Sequence, residues 1–201
     1  MEGTNPVNKK LAAALSGGAV LALALTGCTS GSDDSKNEAL NVWAKQVCGA
    51  VQPQAKKIEA ANTAIQKETS DNSEPAQVQK TDAQAFQDMS DAYKAIGDAV
   101  NKAGAPQVDD GEKKQQAAVK ELNNLSASYA SLKQQVDKLD TKNQAKFADG
   151  LKDIATQLEK LSRTGSDALK NLEEGDVGKA MARQPSCKSA SASASPSVAN
   201  G

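Results

Sequence analysis

The sequence predicts an all-α protein, an up-down-up-down antiparallel four-helix bundle with a disulfide between its N- and C-terminal ends. Apolar residues recur at spacings of three and four in four stretches, which is the pattern of helices that bury one face. Short polar breaks separate the stretches, and short connections make neighbouring helices antiparallel. Two cysteines, Cys48 and Cys187, lie near the beginning and the end of this region.

The first two helices are predicted over residues 38–69 and 74–103. Ser73 is a plausible N-cap for the second, and Pro75 is tolerated in its first turn. Gly104-Ala105-Pro106 ends it. The apolar stripe of the first helix consists of Leu40, Trp43, Val47, Val51, Ile58 and Ile65, and that of the second of Phe86, Met89, Tyr93, Ile96, Val100 and Ala103.

The third and fourth helices are predicted over residues 109–140 and 142–173. Asp109-Asp110-Gly111-Glu112 and Thr141-Lys142-Asn143-Gln144 have the form of capping boxes, although a continuous helix through Thr141 stays open as an alternative. Stripes at these spacings predict helices that cross at about 20°. The third stripe consists of Ala118, Leu122, Leu125, Tyr129, Leu132, Val136 and Leu139, and the fourth of Phe147, Leu151, Ile154, Leu158, Leu161, Gly165, Ala168 and Leu172.

Residues 1–27 have the composition of a signal peptide. Lys9 and Lys10 precede an apolar run over residues 11–25. This run is shorter than the roughly 20 residues that span a bilayer as a helix, so a cleaved export signal is favoured over a retained transmembrane helix.

The signal ends in Leu25-Thr26-Gly27-Cys28, which resembles the lipobox of bacterial lipoproteins. The resemblance implies cleavage between Gly27 and Cys28 and attachment of lipid, with acyl chains such as palmitate, to the Cys28 thiol. It also implies a position on the outer face of the cytoplasmic membrane. An ordinary secretory signal that happens to end near a cysteine is the alternative.

The segments that flank the predicted bundle are low in apolar residues. Residues 28–37 are predicted to be a flexible tether, and residues 188–201 a disordered Ser/Ala/Pro tail. The lipobox, the composition of the helices and this tail together resemble actinobacterial small secreted lipoproteins. That resemblance implies a cell-envelope location and no assigned activity.

With Cys28 set aside for lipid, Cys48 and Cys187 remain in a compartment outside the cytoplasm, where an even pair predicts a disulfide. Two free thiols or a redox pair are the alternatives, and no Cys-x-x-Cys spacing favours the latter. In the predicted topology the start of the first helix and the end of the fourth lie at the same end of the bundle, so the two cysteines can meet.

The composition excludes several function classes. The chain has no histidine and a net charge of −1, and the chain from Cys28 onward has 22 basic and 24 acidic residues. Histidine is the commonest general base and metal ligand, and nearly balanced charge provides no strong field for nucleic acid. The acidic turns lack EF-hand spacing. We therefore predict no catalytic residues, no metal, no cofactor and no nucleic acid partner.

The predicted function is that of a monomeric, non-enzymatic binding module of the cell envelope, anchored through Cys28. Its partner is expected to be an envelope protein or a wall component, met at the turns farthest from the membrane. The alternative is a carrier of a small apolar ligand, for which Trp43, Tyr93 and Tyr129 are possible lining residues, although their stripe positions favour core packing. An enzyme with an unfamiliar carboxylate or lysine site is a third hypothesis.

Overall fold

The computed structural model describes residues 31–70, 73–164 and 167–188, and over these residues the chain is all-α. A helical turn over 185–188 follows the last helix. The predicted all-α class and the predicted Cys48–Cys187 disulfide are confirmed. The predicted signal peptide, Cys28 and the tail from residue 189 onward lie outside the described residues. The helices are α1 Gly31–Ser70, α2 Pro75–Ala103, α3 Gly111–Val136, α4 Gln144–Thr164, α5 Asp167–Glu173 and α6 Asp176–Ala182.

Helix α1 begins earlier than the sequence predicts. Residues 31–37, part of the predicted tether, are helical. No glycine or proline lies between Ser32 and Leu40, so no helix breaker interrupts a helix that continues into the buried stripe. The tether prediction is therefore wrong for these seven residues.

Helix α2 packs against both α1 and α3. Its buried positions include small residues, namely Ala83, Ala85, Ala92 and Gly97. Small side chains let helix backbones approach closely, and the Ser90 hydroxyl donates a 2.8 Å hydrogen bond to the Ser126 carbonyl across the α2–α3 contact.

The range of the fourth predicted helix contains α4 and α5, while α6 follows them and packs on α1. Residues 165 and 166, between α4 and α5, lie outside the described residues. Gly175, with a φ of 69°, separates α5 from α6, because glycine adopts positive φ without a steric penalty.

The predicted capping boxes do not form. Asp110 precedes α3 in a left-handed conformation with a φ of 56° and makes no side-chain cap. Its carboxylate instead accepts a 2.9 Å hydrogen bond from Lys113 Nζ. Asn143, not Thr141, caps α4: its Oδ1 accepts a 3.1 Å hydrogen bond from the Lys146 amide. Pro75 does occupy the first turn of α2, but neither Ser73 nor Glu74 caps it with a side chain.

The core has two clusters at opposite ends of the molecule. We call the first end the base; it contains the start of α1, the 104–110 connection and α6. The other is the far end, where residues 73–74 and the 137–143 connection lie. No stripe residue whose side chain is described is exposed. The base cluster includes Leu40, Trp43, Val47, Ile96, Leu122 and Val177, and the far cluster includes Ala61, Phe86, Met89, Leu132, Val136 and Ile154.

Candidate functional site

The disulfide is the predicted site that the structure describes. Cys48 and Cys187 are 139 residues apart in sequence, and their Cα atoms are separated by 4.9 Å. Both are buried. The bond joins α1 to the helical turn that follows α6, so it fixes the C-terminal segment of the described chain to the base.

The base is held by further contacts around the disulfide. Trp43 Nε1 donates a 2.8 Å hydrogen bond to the Gly104 carbonyl, which ties α1 to the 104–110 connection. Val177 and Ala180 of α6 are buried in the base cluster. The base therefore brings together the beginning, the middle and the end of the described chain.

At the far end, a glutamine side chain links α2 to the end of α3. Gln79 Nε2 on α2 donates hydrogen bonds of 2.8 and 2.9 Å to the carbonyls of Val136 and Leu139. These carbonyls belong to the last turn of α3 and the residues after it. The start of α2 and the end of α3 are thus adjacent, as in antiparallel packing with short connections.

Two of the hollows on the surface of the described residues are relevant to ligand binding. One, of about 310 Å³, lies between α3 and α4 and is lined by Ser128, Ser131, Leu132, Gln157, Lys160 and Leu161. The other, of about 420 Å³, lies at the base and is lined by Lys36, Asn37, Leu40, Gln107, Val108, Asp109 and Asp176. Both are open to solvent; the lining of the hollow at the base is mainly polar, whereas that of the hollow between α3 and α4 is slightly more apolar than polar. A site for an apolar ligand is usually a concave, mostly apolar pocket, and neither open hollow encloses such a site.

Tyr93 and Tyr129 pack in the core. Their rings stack with centroids 5.4 Å apart, and Phe86 lies 6.2 Å from Tyr129. A hydrogen bond joins the two tyrosine side chains, and burial raises the pKa of both hydroxyls. They are therefore neutral at physiological pH. Trp43 is buried in the base cluster, so the three candidate lining residues all contribute to packing.

The described residues contain no group of three or more Cys, Asp or Glu side chains placed to hold a metal ion. The acidic turn before α3 uses Asp110 in an exposed ion pair with Lys113, and that lysine lowers the pKa of Asp110. This exposed carboxylate therefore stays ionised and is paired with its neighbour.

Sequence reasoning missed one buried acid. Asp82 on α2 is only 7% exposed, and Glu68 of α1 is the charged group that acts on it. A signal for it exists in the sequence, because Asp82 lies four residues before Phe86 and so continues the stripe of the second helix by one position. An acidic residue at a stripe position of an amphipathic helix predicts a buried carboxyl group.

Comparison with protein-family models, with curated proteins and with solved structures finds no match for this chain. None of the helices described is long and apolar enough to cross a membrane.

Proposed function

We propose that this chain is a lipoprotein that is anchored through lipid on Cys28 to the outer face of the cytoplasmic membrane. It acts there as a non-enzymatic binding module of the cell envelope. The observation that carries the proposal is the Cys48–Cys187 disulfide. Disulfides form and persist in oxidising compartments outside the cytoplasm, and the sequence supplies the export signal and lipobox that lead there.

The finer architecture belongs to the same proposal. We infer that α4 to α6 together occupy the fourth position of an up-down-up-down four-helix bundle. Support comes from α4 and α5 both packing on α3 and from α6 packing on α1. This arrangement returns the chain to the base, next to the start of α1.

The position of the anchor orients the molecule. Helix α1 begins three residues after Cys28, so the base faces the membrane in the proposed protein. Its 40 residues make a helix about 60 Å long at 1.5 Å per residue. The far end is therefore held well away from the membrane, and the binding surface is proposed to lie there.

Lipid attachment is tested by metabolic labelling with an alkyne fatty acid in a bacterium that processes lipoproteins. The full chain is expected to carry the label and to sediment with membranes. Cys28→Ala should carry no label and should be released as a folded, disulfide-bonded protein, because the two remaining cysteines are already paired. A labelled Cys28→Ala protein, or one that fails to fold, would contradict the assigned cysteine roles.

The binding role is tested by site-specific photo-crosslinking in cells. One photoreactive residue replaces exposed Lys142 at the far end, and a matched one replaces exposed Gln107 at the base. A discrete adduct from position 142 and none of the same mass from position 107 is the expected result. Absence of any adduct from position 142, or equal adducts from both positions, would count against a binding surface at the far end.

A further inference from the structure

An acidic side chain lies inside the contact between α1 and α2 at the far end. Asp82 is buried, and its Oδ1 atom has no hydrogen-bond partner. Leaving a charged oxygen buried without a partner is unfavourable, because the lost hydration is not replaced. The ionised form of Asp82 therefore destabilises this contact.

A second carboxyl group faces Asp82 from α1. Glu68 lies two residues before the end of α1 and is half-buried. Its Oε2 atom is likewise buried without a partner. The negative charge of Glu68 disfavours the ionised form of Asp82, because a nearby like charge opposes ionisation.

The far cluster, at the same end of the molecule as this pair, is apolar. It includes Ala61 and Ile65 from α1, Leu132 and Val136 from α3, and Ile154 from α4. Among the described residues, Glu68 is the charged group that perturbs the Asp82 carboxyl, and no basic side chain offsets it. Asp82 and Glu68 therefore place two acidic groups, without a basic partner, in a largely apolar contact between α1 and α2.

We propose that Asp82 and Glu68 form a pH-sensitive contact that controls how tightly the end of α1 is held against α2. In mildly acidic solution a proton on Asp82 removes the repulsion, and the contact is closed. At neutral and higher pH Asp82 is ionised, and the last turns of α1 loosen from α2. The base stays closed at either pH, because the disulfide and the Trp43 hydrogen bond hold it.

The direction of the effect follows from the proton affinity of Asp82. Burial, and secondarily the charge of Glu68, raise the pKa of Asp82 from 3.8 to about 6. A carboxyl whose pKa is raised by folding stabilises the folded state fully below its unfolded value. That contribution is lost as the pH rises from 3.8 through 6. A shift of about two units corresponds to a change of roughly 100-fold in the folding equilibrium.

The test compares urea unfolding of the full chain, Asp82→Asn and Asp91→Asn between pH 4 and pH 8. Asparagine resembles protonated aspartate, so the Asp82→Asn protein should be as stable as the unmodified chain near pH 4. Near pH 8 the folding equilibrium constant of the Asp82→Asn protein should exceed that of the unmodified chain by up to roughly 100-fold. Asp91 is exposed on the same helix, so its replacement should leave the pH profile unchanged.

Two measurements remain informative if Asp82→Asn does not fold. Carboxyl-carbon NMR of the unmodified chain should show Asp82 titrating near pH 6, and Glu68→Gln should move that midpoint lower. Hydrogen exchange, corrected for intrinsic rates, should show residues 60–70 less protected at pH 7.5 than at pH 5, with residues 40–50 unchanged. Titration of Asp82 near pH 4, or equal protection of residues 60–70 at both pH values, would overturn the proposal.

Discussion

Gly49 and Gly97 both lie inside helices, yet the structure gives them different roles. Gly49 is exposed on α1, and a Cβ atom built there meets nothing within 4 Å. Gly97 is buried on α2, where an added Cβ would lie 3.3 Å from the Cβ of Leu122 on α3. The sequence pattern places both in helices, but it cannot tell which glycine allows the close approach of two helices.

This difference predicts that the two glycines respond differently to substitution. Gly49→Ala should raise the free energy of unfolding by about 0.5–1 kcal/mol, because alanine loses less backbone entropy in a helix. Gly97→Ala should raise the free energy of unfolding by less, because Leu122 must move to make room for the added methyl group. Gly97→Val should lower stability by about 1–3 kcal/mol through overpacking. Urea unfolding measures all three, and a Gly97→Val protein as stable as Gly49→Ala would show that the α2–α3 contact is not tight.

At the scale of elements, the existence of helices was predictable and several of their boundaries were not. Stripes over residues 86–103 and 118–136 correctly identify buried faces, because apolar periodicity reports directly on burial. The helical conformation of residues 31–37 and the separation of α5 from α6 at Gly175 depend on weaker signals, such as helix propensity and the backbone freedom of glycine. The left-handed Asp110 has no local sequence signal that separates it from an ordinary N-cap.

Helix α4 is predicted to be the first of the long helices to open. It packs on α3 with Leu151, Leu158 and Leu161 only half-buried, whereas α2 packs closely on two neighbours. Segments with few buried apolar contacts open at lower free energy. Hydrogen exchange should therefore show α4 amides exchanging before those of α2 and α3. Equal protection of α2 and α4 would contradict this order.

Substitution of Ile154 tests whether α4 opens separately from the other helices. It is 4% exposed in the far cluster, so Ile154→Ala should cost about 2–5 kcal/mol through loss of burial and formation of a cavity. Exposed Ala155→Ser on the next position is the control and should change stability by less than about 0.5 kcal/mol. The expected result is faster exchange confined to α4 at low denaturant. If α1 loses protection equally, α4 is part of one cooperative unit with it.

At the scale of the whole molecule, the cysteine pairing was predictable because the proposed topology and the cysteine count agree. Antiparallel helices return the chain to its starting end, and only Cys48 and Cys187 remain once Cys28 is assigned to lipid. The way in which the C-terminal segment packs back onto α1 was not predictable. The short helix α6 crosses to α1 through Val177 and Ala180, and a seven-residue helix carries too little periodicity to be recognised in sequence.

The disulfide is predicted to hold that returning segment in place. Isolated helices shorter than about 12–15 residues are marginal in water, so α6 depends on its contact with α1. For cysteines 139 residues apart, chain-entropy theory gives a stabilisation of about 5 kcal/mol, with native disulfides commonly worth about 2–5. The double substitution Cys48→Ala and Cys187→Ala should lower the free energy of unfolding by an amount in this range, measured by urea unfolding.

Limited trypsin digestion separates this loss from a general weakening of the fold. Without the disulfide, cleavage at exposed Lys179 and Arg183 should release the C-terminal segment while α2 and α3 remain intact. Cys28→Ala is the matched control and should digest like the unmodified domain, because Cys28 takes no part in the bond. If the double variant keeps the stability and the cleavage pattern of the control, α6 is held by its apolar contacts alone, and the disulfide contributes nothing to closing the base.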